Sequence, residues 1–272
     1  MYVRVYYCIY EFSLNDIYRA SFILYKKRRE RIVVYSELIQ DYLTGKKFSN
    51  GGVVDLSNKR IEKLNRDEYL VDMAKDKNIL HVGFVDHLPL IDEKIKKGNW
   101  LHKKLMNVSN LCYGVDINKE GIEYIQKRYK YDNLYSVDIT SETIPKEILD
   151  IKFDYILIPD VIEHIGNPVS FLQAIRKRFM HNTESIILTT PNAFRWNNFI
   201  NAFKHVEVIN TDHRFWFTPF TLSKIVIDSG YTIKNLGYHE HGNLSRRQIL
   251  RKMILNTLPA YRDTLIIEIS LK

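Results

Sequence analysis

The chain has 272 residues, of which 45% are hydrophobic and 26% charged, and its formal net charge is +8. This composition is typical of a folded domain with a sizeable core and excludes a low-complexity or disordered chain. No apolar run approaches the roughly 18 residues that a membrane span requires. The positive charge favours acidic partners such as phosphorylated sugars, nucleic acid or anionic lipid, although solvated helix faces would also explain it.

The cysteines and the amino-terminal segment predict a cytoplasmic protein. Cys8 and Cys112 are expected to be buried small side chains rather than parts of a disulfide framework, which fits a reducing compartment. The apolar start, Met1 to Tyr10, contains Arg4 and has no small-residue cleavage site. We therefore expect no signal peptide.

Residues 1–76 are predicted to form a helical extension. Residues 14–43 have helix-compatible spacing, and a second helix is expected from Asn58 to Lys75, with Asn58 as its N-cap. The apolar stripe of this second helix would be Ile61, Leu64 and Leu70. We expect the extension to cover the cofactor or substrate side of the domain that follows.

Residues 77–272 alternate between strand and helix patterns. Helices are predicted at 119–129, 168–179 and 218–229, the last ending at Gly230. Such alternation predicts an α/β, Rossmann-like fold with a seven-stranded, mostly parallel sheet, in which the last two strands pair antiparallel at one edge. The seven strands are expected at 79–82, 111–115, 134–137, 153–158, 185–189, 231–238 and 264–271.

Polar residues recur where successive strands end. Gly83 ends the first strand and would let the backbone approach a ligand closely. Asp116 ends the second and could accept both hydroxyls of a ribose, and Asp138 with Ile139 could meet an adenine. Each aspartate taken alone could equally be a loop residue or a helix cap.

The first loop argues against a nicotinamide enzyme. It lacks Gly-x-Gly-x-x-Gly, and Asp86 stands where a pyrophosphate would be repelled. An acid there suits a cationic or amino-bearing cofactor. The one Tyr-x-x-x-Lys pair, Tyr42 and Lys46, precedes the nucleotide strand.

A cluster of ligand-type side chains follows the fourth strand. If the backbone turns helical after Pro159, Asp160, Glu163 and His164 share one face, and His213 comes later in the chain. Two carboxylates and two imidazoles predict either a site for Mg²⁺ or Mn²⁺ or a metal-free general base on His164 or His213. A structural role in shaping the pocket is the third possibility.

These segments resemble the class I S-adenosylmethionine-dependent methyltransferases over residues 78–271. Four stretches carry the resemblance: Ile79–His87, Gly114–Asn118, the strand with Asp160–Pro168, and Leu188–Asn192 with the later Asp212-His213. The resemblance implies that the loop at Gly83 holds the methionine part, Asp116 the ribose, and Asp138 with Ile139 the adenine. The implied cofactor-binding set is Gly83, Phe84, Asp86, His87, Asp116, Ile117, Asp138, Ile139, Pro159 and Asp160.

Within that class, the chain looks most similar to O-methyltransferases of sugar and surface-glycan pathways, which implies a sugar or glycan-intermediate acceptor. The set Asp160, Glu163, His164 and His213 also resembles the magnesium site of small-RNA terminal 2′-O-methyltransferases, with Asp160 in place of a glutamate. Methylation of an RNA 2′-hydroxyl is therefore the alternative activity. A non-catalytic partner that keeps the fold is the third.

Two further features leave alternatives open. Five aromatic side chains near the last loops could stack on a sugar or base, or could close the core: Phe194, Trp196, Phe215, Trp216 and Phe217. The basic helix expected at 245–257 could be a lid, a dimer contact, a surface that rests on anionic lipid, or a packed helix. His81 and His102 are expected to be packed side chains rather than ligands.

Overall fold

A computed structural model describes residues 35–57, 65–86, 88–141, 143–244 and 248–270. The cofactor residue predicted at His87, the predicted N-cap Asn58 and most of the first predicted helix lie outside these residues. Within the described part of the chain, no helix has both the length and the apolar character needed to cross a membrane.

Helices and strands alternate through the described chain, and two 3₁₀ turns, Ile162–His164 and Pro259–Tyr261, interrupt the pattern. The strands are β1 Asn78–Val82, β2 Leu111–Asp116, β3 Leu134–Ser136, β4 Phe153–Pro159, β5 Thr183–Pro191, β6 Thr232–His239 and β7 Thr264–Ser270. The helices are α1 Glu37–Leu43, α2 Arg66–Ala74, α3 Leu88–Lys96, α4 Leu101–Met106, α5 Lys119–Tyr129, α6 Lys146–Leu149, α7 Pro168–Phe179, α8 Trp196–Phe203, α9 Pro219–Asp228 and α10 Ile249–Thr257.

The predicted fold class is confirmed. The seven strands form one sheet in the order β3-β2-β1-β4-β5-β7-β6. Strands β1 to β5 pair in parallel, while β7 pairs antiparallel with both β5 and β6. The antiparallel strand β7 thus lies one position inside the edge, and β6 is the edge strand.

Both faces of the sheet are buried, as the apolar strands predict. On one face, Leu80 and Ile156 lie in a core with helices α1, α7 and α9. On the other face, their chain neighbours Ile79 and Leu157 pack with α2 and α4. This alternation follows from the two-residue period of a strand, and it fixes the sheet as the central layer.

Helix α2 begins later than the sequence indicated. It starts at Arg66, where the Asn65 side chain accepts from the backbone N–H of Glu68 at 2.9 Å and the Glu68 carboxylate accepts from the backbone N–H of Asn65 at 3.2 Å. This reciprocal capping box, rather than Asn58, sets the helix start. Leu70 and Ala74 of α2 are fully buried against the sheet. The domain boundary predicted at residue 76 stays a prediction.

Helix α9 ends where the sequence predicts. Helix α9 opens with a capping box between Thr218 and Thr221 and ends with Ser229 as its C-cap. Gly230 follows with a φ of +84°, a left-handed conformation that glycine adopts without strain.

Candidate active site

The carboxyl ends of β1, β2, β3 and β4 lie side by side at one end of the sheet. In the strand register, Val82 pairs with Val115, and Asp116 pairs with Ser136. Because these strands are adjacent and parallel, the residues that follow each of them share one rim. This rim is where the sequence predicted the cofactor.

Gly83 is required by the geometry of the first loop. Its φ is +72°, and a Cβ on it would lie 2.5 Å from Cγ2 of Val161, which belongs to the loop after β4. The loops after β1 and β4 therefore approach each other more closely than any side chain at position 83 would allow.

Asp116 closes the first loop onto the end of β2. Its Oδ2 accepts from the Val85 N–H at 2.9 Å and its Oδ1 accepts from the Asn118 N–H at 2.9 Å. Burial raises the pKa of the Asp116 carboxyl above its ordinary value. Each oxygen keeps a second lone pair, so this half-buried carboxylate fits a ribose diol at the rim.

Asp138 and Ile139 divide between the surface and the core. Asp138 is exposed, and its Oδ1 accepts from the backbone N–H and the hydroxyl of Thr140 at 2.9 and 2.6 Å. Ile139 is buried in the core beneath it, and Ile117, after β2, is exposed at the rim. Because the Ile139 side chain is buried, a cofactor could meet only its backbone, and the adenine contact predicted for this pair stays a prediction.

Phe84 and Asp86, two residues of the predicted cofactor set, have partners within the protein. Phe84 is buried, with its ring centroid 6.4 Å from that of Trp100 and 4.8 Å from that of His102, so a cofactor could meet only its backbone. Its ring packs in an apolar cluster under the loop. Asp86 forms an ion pair with Lys94. Pro159 is buried at the last position of β4.

The backbone does not turn helical directly after Pro159, which was the condition for Asp160, Glu163 and His164 to share one face. Asp160 adopts a left-handed conformation with φ +53°, and a 3₁₀ turn then covers Ile162–His164. This break separates Asp160 from the face that carries Glu163 and His164. Its Oδ1 accepts from the Thr189 hydroxyl at 2.8 Å.

Glu163, His164 and His213 converge. Among the described residues, these three form the group whose potential metal-ligand atoms lie within 4.8 Å of one another. The His164 and His213 rings meet edge to face at a centroid distance of 4.7 Å. The Arg214 N–H donates to the Glu163 carbonyl at 2.8 Å, which ties the His213 loop to the 3₁₀ turn. Asp160, predicted as a fourth metal ligand, lies outside the group.

Burial controls the charge of this cluster. Glu163 is fully buried, and burial, aided by the charge of Asp160, raises its pKa to about 8. One oxygen, Oε2, accepts from the Thr190 hydroxyl at 2.9 Å, and Oε1 lies 3.9 Å from Nε2 of His213. Burial and the neighbouring His164 lower the pKa of His213. At neutral pH the carboxyl therefore holds a proton and His213 is neutral.

The donor set fits a divalent ion. Within the described part of the chain, Oε1 of Glu163 and Nδ1 of His213 are buried without a hydrogen-bond partner. A carboxylate oxygen and two imidazole nitrogens suit Mn²⁺ well and Mg²⁺ acceptably. Unsatisfied buried polar atoms are rare, so a ligand at this point would satisfy them.

Sequence reasoning missed Arg66. This arginine opens α2 and is buried, and its guanidinium pairs with Asp160 and, at 2.8 Å, with Asp67. Lys104 adds a second cation to Asp67 at 3.0 Å. A signal was present, because a cation in the first turn opposes the helix dipole and needs a specific acidic partner.

A cavity of about 400 Å³ opens beside the cluster. It is within the size range of small-molecule pockets. Of the described residues that line it, all but Pro191 carry a hydrogen-bonding side chain. They are Asp160, Glu163, His164, Pro191, Arg195, Asn197, Asn210, His213, His241, Asp263 and Thr264.

The five aromatic side chains singled out from the sequence are not among the described residues that line this cavity. Phe217 is buried in the core, and Trp216 lies under Arg195, whose guanidinium is 4.6 Å from the ring centroid. Trp196 contacts Phe199 instead, with centroids 6.1 Å apart. His81 and His102 are buried and face each other at 3.1 Å between Nδ1 atoms, which agrees with packed side chains.

The comparison with one solved structure, a small RNA methyltransferase, agrees with this fold, and two further methyltransferases align at TM-scores below 0.5. The small RNA methyltransferase HEN1 aligns with a TM-score of 0.51 at 17% identity, covering 79% of this chain and 27% of that chain. A SAM-dependent methyltransferase from Aquifex aeolicus gives 0.46 at 12% identity, over 77% and 91% of the two chains. Magnesium protoporphyrin IX methyltransferase from Synechocystis PCC 6803 gives 0.42 at 13%, over 75% and 77%. At these identities the likeness concerns the fold alone.

The family of this chain is shown by its amino-acid sequence. No curated protein matches the chain. A family model described as "Methyltransferase domain" matches residues 42–236, which is more than two thirds of the chain. The chain therefore belongs to the methyltransferase domain family and is an S-adenosylmethionine-dependent methyltransferase.

Proposed function

We propose that this protein methylates a hydroxyl group of a sugar or glycan intermediate. The observation that carries the proposal is the lining of the cavity, in which every described residue but Pro191 offers a hydrogen-bonding side chain: amides, carboxylates, imidazoles, a hydroxyl and a guanidinium. A sugar presents hydroxyls on every side and needs such partners, whereas a flat apolar acceptor needs apolar walls. The cytoplasmic location predicted from the cysteines is compatible with a biosynthetic intermediate as acceptor.

The rim residues account for cofactor positioning. S-adenosylmethionine supplies a methyl group on a positively charged sulfur. Asp116 would hold the ribose, and the backbone of the Gly83 loop would lie along the methionine part. Because the displacement is in line, the protein contributes mainly by aligning acceptor and methyl and by excluding water.

An imidazole would accept the proton that the acceptor hydroxyl loses. His213 is the favoured base because burial lowers its pKa, so it is neutral and able to accept a proton at neutral pH. His164, at right angles to it, is the second imidazole of the site. Glu163 supports both: its side chain is fixed by Thr190, and its carbonyl holds the His213 loop through the Arg214 N–H.

A metal-assisted version uses the same residues. Glu163, His164 and His213 would hold Mg²⁺ or Mn²⁺, which would lower the pKa of a bound hydroxyl and orient it. Asp160 is not included, because its carboxylate lies outside the group whose potential ligand atoms approach within 4.8 Å of one another. Turnover that survives a chelator unchanged would leave only the imidazole mechanism.

Methylation of an RNA 2′-hydroxyl is the second candidate. The Glu163, His164 and His213 group favours it, because it resembles the magnesium site of small-RNA methyltransferases.

Transfer of an isotopically labelled methyl group tests the proposal. Purified protein is incubated with labelled S-adenosylmethionine and, separately, with nucleotide sugars, glycan intermediates and RNA, and products are identified by mass spectrometry. We expect label in a sugar fraction, its loss in His213→Ala, and its retention in His181→Ala. His181 is an exposed histidine just before β5, at the end of the sheet where the parallel strands begin. Label in RNA alone would replace the sugar proposal with the second candidate.

A further inference from the structure

Helix α8 turns its apolar face outward. Trp196, Phe199, Ile200 and Phe203 follow the i, i+3, i+4, i+7 spacing of an apolar stripe, which in a helix of a folded domain normally faces the core. Here Phe199 is 47% exposed and Phe203 is 74% exposed, and no residue of the helix is buried by the described part of the chain. The polar side carries asparagines, of which Asn197 lines the cavity.

The exposed surface continues beyond α8. Tyr261, in the 3₁₀ turn that follows α10, has its ring centroid 6.0 Å from that of Trp196 and 6.4 Å from that of Phe199. Helix α10 itself exposes Ile249 and Met253, at 64% and 63%. We call the four residues whose rings contact one another, Trp196, Phe199, Phe203 and Tyr261, the apolar patch. Contiguous exposed apolar surface of this kind marks a docking surface.

Charge selects the occupant. Arg195 and Lys204 flank α8, and the exposed Lys252 lies on α10 between the two exposed apolar side chains. Glu207, in the next loop, accepts a hydrogen bond from the Trp216 side-chain N–H at 2.9 Å. With a net charge of +8, two copies of the chain repel each other, whereas an anionic bilayer attracts this surface. Aromatic side chains rimmed by basic residues are typical of helices that lie in a membrane interface.

We propose that the apolar patch docks this methyltransferase on an anionic lipid bilayer, so that the neighbouring cavity receives a glycan carried on a lipid anchor. Arg195 and Asn197 connect the two features, because both line the cavity at the start of α8. The choice of a lipid-anchored acceptor rests on the proposed function, whereas bilayer docking itself does not depend on it.

Vesicle co-sedimentation without any acceptor tests the docking. The probes are vesicles of phosphatidylcholine alone and of equimolar phosphatidylcholine and phosphatidylglycerol, at low and high salt. We expect the wild type to sediment with the anionic vesicles, less so at high salt. The double variant Phe199→Ser, Phe203→Ser should bind about tenfold more weakly or worse, because two phenyl rings no longer enter the interface. Phe48→Ser, which alters an 85% exposed phenylalanine far from α8 in sequence, should bind as the wild type does.

Two controls separate the alternatives. The thermal midpoint of the double variant should equal that of the wild type, and its methylation of a water-soluble acceptor should persist, so that lost binding is not lost folding. Vesicle binding by the wild type that is absent, or that the double variant retains in full, overturns the proposal. So does a dimer in sedimentation equilibrium that the double variant abolishes, because a second copy would then cover the patch. Absent sugar methylation with intact vesicle binding would instead overturn the proposed function.

Discussion

Replacing Glu163 by glutamine should change how stability depends on pH. Glu163 is fully buried, and burial raises its pKa from the ordinary 4.5 to about 8. Between these values the folded protein retains a proton that the unfolded chain has released, so this stabilisation is complete below 4.5 and is lost as the pH rises through about 8. The rise in pKa corresponds to roughly 5 kcal/mol of unfolding free energy.

The glutamine variant keeps the volume and the partner Thr190 but cannot ionise. We expect Glu163→Gln to match the wild type at about pH 5 and to exceed its unfolding free energy by roughly 3–5 kcal/mol at about pH 9. Urea unfolding followed by tryptophan fluorescence, with a chelator present, measures both. Glu184→Gln, at an exposed position of β5, is the matched control and should show no such divergence. A difference between Glu163→Gln and wild type that stays constant with pH would refute the buried proton.

Three further outcomes follow from the site. Gly83→Ala should lower the unfolding free energy by about 2 kcal/mol or more and weaken cofactor binding in calorimetry, because its Cβ would meet a side chain at 2.5 Å. The control Gly98→Ala, at a similar φ of +68° in open space, should lower the unfolding free energy less and leave cofactor binding intact. Arg66→Met should lower the unfolding free energy by about 3 kcal/mol in urea, because it leaves Asp160 without its cation. If the same substitution lowers the unfolding free energy equally in an Asp160→Asn background, the pairing is contradicted. If His213 is the base, the acid limb of kcat/KM should lie below its ordinary pKa of 6.5, since burial lowers that pKa and deprotonation is required; a limb above 6.5 would contradict this role.

The sheet was predictable because its signals are local. The apolar run of β4 could be buried on both faces only in the centre of a parallel sheet, and Gly230 marked the end of α9 by its tolerance of positive φ. Strand alternation then placed Gly83 and Asp116 on one rim. Periodicity and turn chemistry were enough for these inferences.

The far side of the candidate site was not predictable, because it is assembled from distant segments. Asp263 reaches the cavity because β7 inserts between β5 and β6, an arrangement set by the whole sheet. The start of α2, by contrast, could have been read from the sequence, because Glu68 stands three residues after Asn65, whereas Ile61 stands three residues after Asn58. Asp160 left the expected face because its left-handed backbone and its pairing with Arg66 outweighed helix propensity.

Cofactor binding at the rim is tested most directly by calorimetric titration with S-adenosylhomocysteine, the demethylated form of the cofactor. Asp116→Ala removes the carboxylate that fits the ribose. Asp132→Ala removes an exposed carboxylate just before β3, at the end of the sheet where the parallel strands begin. We predict that the wild type and Asp132→Ala bind with equal affinity and that Asp116→Ala, still folded by circular dichroism, binds at least about tenfold more weakly. Equal affinity in all three proteins would contradict the assignment of this rim as the cofactor site.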